Sequence, residues 1–212
     1  KMEKSNYPQL DEGLDEKVIG FDGKTFTLRE LRVTANEYTA KAPIEERKSI
    51  KEKFEQIFNC DKEKIPDELL KEVYGDNIKT KEIWKPVPLY KKEKDGEAEY
   101  SASNFGRIKH YGIIMKQGDK LGKEYGGYLV MKDYTRPAEY KFDSTICVYR
   151  FVAAAFLQNY KEGMHVHHIN NNGYDCRPEN LILLEKDQHL KVHGLPVKGD
   201  DNSYEKVSQI GQ

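Results

Sequence analysis

The chain has 212 residues, with 35 basic and 36 acidic side chains, so its formal net charge is −1. This near-neutral charge excludes a simple polycation that coats nucleic acid or membranes through net charge alone. Apolar residues make up 37% and charged residues 33% of the chain, a composition that excludes general disorder and allows one domain, or two small ones, with a hydrophobic core.

The first 80 residues are predicted to be mostly helical. Two short strands at Lys17–Phe21 and Thr25–Thr27 flank a turn, and Thr27 and Glu30 have the spacing of a capping box that opens a helix ending near Tyr38. A second helix follows Pro43, and a third lies between Pro66 and Gly75. Three short amphipathic helices are compatible with a helix-turn-helix-like DNA reader or with a packed helical cap.

The middle of the chain changes to short, glycine-punctuated strands and is locally basic. Residues 101–150 carry 9 basic and 5 acidic side chains, a net charge of 9 − 5 = +4, and tyrosines alternate with the cations. Cations that meet phosphates and rings that pack on sugars or bases form many nucleic-acid surfaces, although a solvated face with core tyrosines has the same composition. A short apolar helix, about Val148 to Gln158, follows and is predicted to be buried.

Five of the six histidines fall within 29 positions, at 165, 167, 168, 189 and 193. The alternation over His165–Ile169 predicts a strand, and Asn170 to Gly173 is a turn whose residues tolerate positive φ. Leu181–Leu184 predicts a second strand, and a helix capped by Asp187 is predicted to end at Gly194.

His189 and His193 are four residues apart on that helix, so both imidazoles project from one face. If the hairpin packs on the helix, His167 completes a three-nitrogen metal site with an open position, the arrangement of a catalytic metal centre. Successive strand residues point to opposite faces, so His168 is left as a candidate base, and Asn180 across the hairpin is a candidate to orient it. We interpret His165 as an additional strand histidine without a role in the chemistry.

These residues resemble the His-Asn-His (HNH) nucleases: a double histidine at 167–168, Asn180, His189 and a further histidine at 193. The three-histidine set is similar to that of colicin-type DNase toxins. The sequence around these residues, His-His-Ile-Asn and Tyr-Asp-Cys-Arg-Pro-Glu-Asn-Leu, is more similar to that of phage and intron-borne homing endonucleases. Upstream, Trp84–Val87 and Tyr100–Ile108 resemble the DNA-binding module that often precedes such cores.

The resemblance covers about residues 82–194 and implies an α+β fold. Its parts are a helical N-terminal region of unknown role at 1–80, a small β-rich DNA-binding module at 81–135, a ββα-metal nuclease core at 136–195 and a tail at 196–212. Cys176 stands where the family usually has Asn, and Asn171 where it often has Gly.

The same resemblance implies a DNA endonuclease of the phage or homing type that uses one divalent cation. His168 would be the general base, held by Asn180, and an imidazole with an ordinary pKa near ~6.5 suits that task at neutral pH. His167, His189 and His193 would hold the cation; three imidazoles favour Zn, Ni, Co or Mn over Mg. The products would carry 5′-phosphate and 3′-hydroxyl ends. Phosphate contacts are assigned to Arg107, Lys109, Arg150 and Lys191.

Two other functions fit the pattern: a DNA-binding protein with a structural zinc site, and an RNA-directed nuclease. Three separated cysteines exclude a disulfide framework, and neither a secretory signal nor an apolar run of membrane length is present, so we expect a cytoplasmic protein of a bacterial or phage-infected cell that binds no membrane. Without a heptad repeat or a spare apolar helix, we expect a monomer that binds double-stranded DNA.

Overall fold

The computed structural model describes residues 11–41, 44–76, 78, 81–90, 92–116, 127–132, 145–161 and 163–195. The predicted polar tail, the first ten residues and several basic residues of the middle region lie outside these ranges, as do Gly118, Gly122 and Gly126. These basic residues are Lys120, Lys123, Arg136 and Lys141.

The described elements mix five α-helices with short strands, so the α+β prediction is confirmed. The helices are α1 Leu28–Lys41, α2 Ile44–Phe58, α3 Asp67–Tyr74, α4 Val148–Phe156 and α5 Lys186–Val192. The strands are β1 Lys17–Ile19, β2 Thr25–Thr27, β3 Trp84–Pro86, β4 Glu93–Lys94, β5 Glu97–Ala98, β6 Tyr100–Ser103, β7 Ile108–His110, β8 Ile113–Ile114, β9 Val130–Lys132, β10 Thr145–Cys147, β11 His165–His168 and β12 Leu181–Leu184. Among the described residues, no helix is long and apolar enough to cross a membrane.

The N-terminal elements form as the local sequence predicts. β1 and β2 pair as an antiparallel hairpin, and the capping box at the start of α1 is present. The backbone N–H of Thr27 donates to the Glu30 carboxylate at 2.7 Å, and the Glu30 N–H donates to the Thr27 hydroxyl at 3.2 Å. Two donors that a helix start leaves unpaired are thereby satisfied.

The middle region contains a four-stranded antiparallel sheet in the order β3-β6-β7-β8. Its register pairs Trp84 with Ser103 and Tyr100 with His110. One face of the sheet packs against α4, the apolar helix that the sequence predicts to be buried.

The C-terminal core is an antiparallel hairpin of β11 and β12 followed by α5, as predicted. The register places His167 opposite Ile182 and His168 opposite Leu181. The predicted cap of α5 is wrong: Glu185, two residues earlier than Asp187, is the N-cap, and it forms a capping box with Gln188. Asp187 instead lies in the first turn, where its charge favours the helix dipole.

One hydrophobic cluster joins the predicted DNA-binding module to the predicted nuclease core. It includes Tyr100 and Ile108 of the sheet, Val152 of α4, Leu181 of β12 and Phe58 of α2. The division at residue 135 therefore does not separate two hydrophobic cores among the described residues. A second cluster joins β1 and α1 to β12 and α5, so the N-terminal helices pack on the remainder of the chain at more than one place.

Candidate metal centre and general base

Three imidazoles meet where β11 faces α5. One ring nitrogen from each of His167, His189 and His193 lies within 4.8 Å of the other two. His189 and His193 stand one helical turn apart, and their Nε2 atoms are 3.2 Å from each other. Helical spacing and strand direction thus bring together the three residues that the sequence assigns to the metal site.

The chemistry of this cluster fits a divalent cation. His167 is 2% exposed, and its Nε2 is buried without a hydrogen-bond partner among the described residues. Burial, followed in size by the charges of the neighbouring imidazoles, lowers the pKa of His167 to about 2 and that of His189 to about 3. These rings are therefore neutral at neutral pH, the form that binds a metal, and a cation would supply the partner that the His167 Nε2 lacks.

His168 points to the other side of β11. It is 4% exposed, and the centroid of its ring lies 5.5 Å from that of Tyr128 and 5.1 Å from that of Tyr149. Its Nε2 is also buried and has no hydrogen-bond partner among the described residues. Burial lowers the pKa of His168 to about 4, while the nearby Asp175 carboxylate opposes this shift. The expected pKa near 6.5 is thus corrected to a lower one, because the aromatic wall removes water from the ring.

The Asn180 side chain forms hydrogen bonds with the loop that follows β11 and, within the described residues, none with the His168 ring. Its side-chain amide donates to the Asn170 side-chain oxygen at 2.9 Å and to the Asp175 carbonyl at 2.8 Å, and its Oδ1 accepts from the Asn170 N–H at 3.0 Å. The Ile169 N–H donates to the Asn180 carbonyl at 2.7 Å. Within the described residues no hydrogen bond joins Asn180 to the His168 ring, so the predicted direct orientation is replaced by fixation of the loop that follows His168.

That loop approaches the segment at Gly127 closely. Asn171 has φ of 58°, which confirms that the turn needs a residue tolerant of positive φ. A Cβ on Gly173 would collide with the carbonyl of Gly127 and come within 2.8 Å of the Tyr128 ring. Glycine at position 173 therefore lets two backbone segments meet beside the Tyr128 ring, which contacts His168.

A cavity of about 240 Å³ opens onto both sides of β11. It is lined by all three imidazoles of the cluster, by His168 and by residues of three other segments. Among the latter are Tyr38, Gly127, Tyr128, Asn171, Gly173 and Tyr174. The candidate ligands and the candidate base thus share one cavity.

His165 lies closer to the cluster than its sequence position suggests. Its Nδ1 is 3.1 Å from the Nδ1 of His189, on the side of the His189 ring away from His193. Burial lowers the pKa of His165, and the charges of Arg150 and Lys186 lower it further, so both cations lie near this imidazole.

Arg107 is not available to a phosphate, which corrects its assignment as a DNA contact. The side chain is 0% exposed, and its guanidinium pairs with the Glu82 carboxylate. It also donates to the carbonyls of Cys60, Lys62 and Glu63 at 2.7 to 3.1 Å. Five donors in a fixed fork can satisfy such a set, so Arg107 joins the helical region to the sheet.

The other three assigned cations differ in position. Lys109 lies over the Trp84 ring, with its Nζ 4.2 Å from the centroid. Arg150 is exposed on α4 and near His165. Lys191 lies on the opposite side of α5 from His189 and His193, since residues two apart on a helix differ by about 200°. A Cβ on Gly13 would lie 2.6 Å from its Nζ, which places this ammonium group against the N-terminal segment.

The sequence does not assign three further contributors to this site, although Tyr128 is one of the tyrosines that alternate with the basic residues. Tyr38 enters the cavity from α1, and Tyr128 forms its aromatic wall. Arg32 donates to the carbonyl of Lys191, which lies between His189 and His193 in the chain. Each of these residues reaches the site through a contact with residues far away in the sequence. No local sequence pattern therefore assigns it to the site.

Comparison with known families decides what this hairpin and helix are. Residues 150–191 match a family model described as HNH endonuclease, and this match contains β11, Asn180, β12 and His189. The chain contains an HNH endonuclease domain. The match ends before His193, so the third imidazole of the cluster is assigned from geometry.

A search of solved structures gave a similar chain, titled "DNA binding and cleavage by the HNH homing endonuclease I-HmuI". The two chains are 20% identical, with a TM-score of 0.38. The alignment covers 60% of this chain and 66% of that one, so this chain spans just under two thirds of its relative. A comparison with curated protein sequences gave no match. The HNH domain rests on the family match and on its own geometry.

Proposed function

We propose that this protein is a metal-dependent DNA endonuclease in which His168 is the general base and His167, His189 and His193 bind one divalent cation. The observation that carries the proposal is the separation of the adjacent His167 and His168. One ring joins an imidazole cluster, and the other lies against tyrosines on the same cavity, with no hydrogen-bond partner for its Nε2 in the described part of the chain. A neutral imidazole is the form that accepts a proton, and burial keeps His168 neutral.

In this mechanism the Nε2 of His168 takes the proton of the attacking water, and Asp175 nearby favours the imidazolium that results. A bound cation would supply Lewis-acid stabilisation of the charge on the scissile phosphate and on the leaving 3′ oxygen. The three imidazoles would hold this cation at the cavity, and Asn180 fixes the loop after His168. Cleavage would leave 5′-phosphate and 3′-hydroxyl ends.

Plasmid cleavage tests this function directly. Supercoiled DNA incubated with the protein and Mg, Mn, Ni, Co or Zn should be cut, and a chelator should stop the reaction. Binding of DNA without cleavage at any metal would instead support a DNA-binding protein with a structural zinc site. Cleavage of RNA but not of duplex DNA would identify an RNA-directed nuclease.

The same assay follows how many strands are cut. We propose a monomer with one centre per chain, so open circles should precede linear DNA. Linear product that appears as early as open circles, at a rate second order in protein, would contradict a monomer.

The DNA face is proposed to include Lys109 and Arg150. Replacing Lys109 by Gln should weaken DNA binding and reduce the slope of log affinity against log salt by about 0.9 for one lost phosphate contact. Lys85 offers a matched control. It is adjacent to Trp84 on β3 and lies over Phe156 of α4, on the other side of the sheet from Lys109. If Lys85→Gln changes the slope and Lys109→Gln does not, the DNA face is on the other side.

A further inference from the structure

Two of the three candidate ligands depend on a short helix. α5 has seven residues; His189 lies in its last turn, and His193 is its C-cap residue. Isolated helices shorter than about 12 residues are marginal in water, so helical propensity does not hold α5 in place. The positions of both imidazoles are therefore determined by what α5 packs against.

Residues 11–41, which we call the N-terminal brace, provide that surface. Leu28 and Leu31 of α1 are fully buried and form one cluster with Val192 of α5 and with Leu184 of β12. The contact between α1 and α5 is among the most extensive between any two described elements. A region that lies outside the HNH family match thus covers the back of the metal-binding helix.

Arg32 makes the polar contact closest to the ligands. Its Nε donates to the carbonyl of Lys191 at 2.7 Å, and its Nη2 donates to the same oxygen. Lys191 lies between His189 and His193, in the last turn of α5. The same carbonyl accepts from the Gly194 N–H at 3.1 Å, so Arg32 reinforces the C-terminal turn of α5, where a cation also interacts favourably with the helix dipole. The side chain is only 13% exposed, and Asp11 holds it at 3.1 Å.

The N-terminal brace also contacts the first turn of α5 and the loop that follows His168. Glu16 accepts from the Gln188 side-chain amide at 2.6 Å, which ties the first turn of α5 to the segment before β1. Asn171, in the loop after His168, donates through its side-chain amide to the carbonyl of Ala35 at 3.3 Å. These contacts fix α5 and the loop relative to one surface.

We propose that the N-terminal brace completes the metal centre and that Arg32 is its positioning residue, fixing the last turn of α5 so that His189 and His193 converge with His167. The inference rests on the metal site of the proposed function. It gives residues 11–41 a role in the chemistry that their sequence does not indicate.

Cobalt binding by the full chain tests this proposal without relying on cleavage. Titration of Co²⁺, followed by its visible absorption, gives both the affinity and the geometry of the bound ion. Arg32→Met should weaken Co²⁺ binding by about 10- to 100-fold, the range seen when outer-shell partners of metal ligands are removed, and should alter the spectrum. Arg32→Lys should fall between, since an ammonium keeps the charge but lacks the planar fork.

Arg29→Met is the matched control. Arg29 is on the same helix and forms an exposed ion pair with Asp15, so its replacement should leave affinity and spectrum unchanged. Far-UV circular dichroism of each metal-free variant shows that it is folded at the titration temperature. A folded Arg32→Met protein with wild-type affinity and spectrum would overturn the proposal.

If Arg32→Met does not fold, the Arg32→Lys variant tests the proposal instead. Wild-type Co²⁺ affinity and spectrum in folded Arg32→Lys would then overturn it. If the wild-type chain itself binds no Co²⁺, the metal site of the proposed function fails and the brace fails with it.

Discussion

His167 and His168 are adjacent and equally buried, yet they face two regions of different composition. On one side of β11 lie His189 and His193; on the other lie Tyr128 and Tyr149. Desolvation lowers the pKa of both imidazoles in the same direction. We therefore base the proposed assignment of ligand and base on the neighbours, because among the described residues His167 meets further imidazoles and His168 meets tyrosines.

The comparison also shows what strand geometry contributes to the site. Successive residues of a strand point to opposite faces, so in the proposed mechanism a double histidine supplies two different functions from one segment. The cavity reaches both faces because the strand ends there, and the loop from Asn170 turns away towards Asn180. Four experiments separate the two sides.

The largest expected effect is on the rate of cleavage after removal of the base. His168→Ala should reduce plasmid cleavage by roughly 10²–10⁴-fold, the usual contribution of a general base, because the proposed acceptor of the water proton is removed. The metal content per chain should stay that of the wild type, since the His168 ring does not belong to the imidazole cluster. Single-turnover cleavage and metal analysis of the purified variant measure both quantities.

His167→Ala provides the comparison for that experiment. It should lose the ion, because the His167 imidazole belongs to the cluster. If His168→Ala loses the ion and His167→Ala retains it, the two assignments are exchanged.

The second prediction concerns stabilisation by the metal. At a concentration 1,000 times its Kd, a ligand that binds only the folded state adds about 4 kcal/mol to the free energy of unfolding. His193→Ala should lose most of this increment, because one of three ligands is missing, while its metal-free stability should change little since His193 is exposed. Urea denaturation with and without metal measures the increment.

His110→Ala is the control for this measurement. His110 stacks on Tyr100 outside the cluster, and its replacement should leave the metal increment intact. An equal loss in both variants would mean that the increment does not come from the imidazole cluster.

The third prediction concerns how the free energy of unfolding depends on pH. It tests whether His167 and His168, on the two sides of β11, are both buried. The folded-state pKa of His168 is about 4, below its unfolded value near ~6.5, so the unfolded chain binds more protons between these values. The stability of the metal-free protein should therefore be intact above pH 6.5 and fall as pH falls towards 4. Between pH 6.5 and 5 the loss is roughly 2 kcal/mol for this histidine.

His168→Gln should remove that share of the loss, as measured by urea denaturation at several pH values in the presence of a chelator. His167 should contribute in the same direction, because burial lowers its pKa to about 2. Stability that does not change between pH 7 and 5 would mean that neither ring is buried in solution.

Much of the site could be predicted because its geometry is local. The four-residue spacing of His189 and His193 and the alternation along β11 determine which imidazoles meet, and the structure places them together. Capping is also local, but two acidic residues, Glu185 and Asp187, competed for the start of α5. The choice of Glu185 follows from Gln188, whose side chain accepts from the N-cap N–H.

The remaining features depend on contacts distant in sequence. Arg107 is of a residue type that often contacts DNA phosphates. Its partners are Glu82 and carbonyls of the loop after α2, so only the folded chain shows that its side chain is buried. Arg32 and the carbonyl of Lys191 are 159 residues apart. No periodicity or motif links such pairs, so the contacts between the N-terminal region and α5 could not be predicted from the sequence.

The smallest expected effect is on the aromatic side alone. Gly173→Ala places a methyl group against the carbonyl of Gly127 and the Tyr128 ring, so the wall beside His168 has to move. We expect a loss of roughly 1–3 kcal/mol in the free energy of unfolding, as for other overpacked sites, with slower cleavage and unchanged metal affinity. Gly23→Ala is a control for the loss of a glycine, since nothing lies within 4 Å of a Cβ there, although its φ of 79° adds backbone strain. If Gly173→Ala instead weakens metal binding as much as His193→Ala does, the two sides of β11 are one mechanical unit, and the division between ligand and base is incomplete.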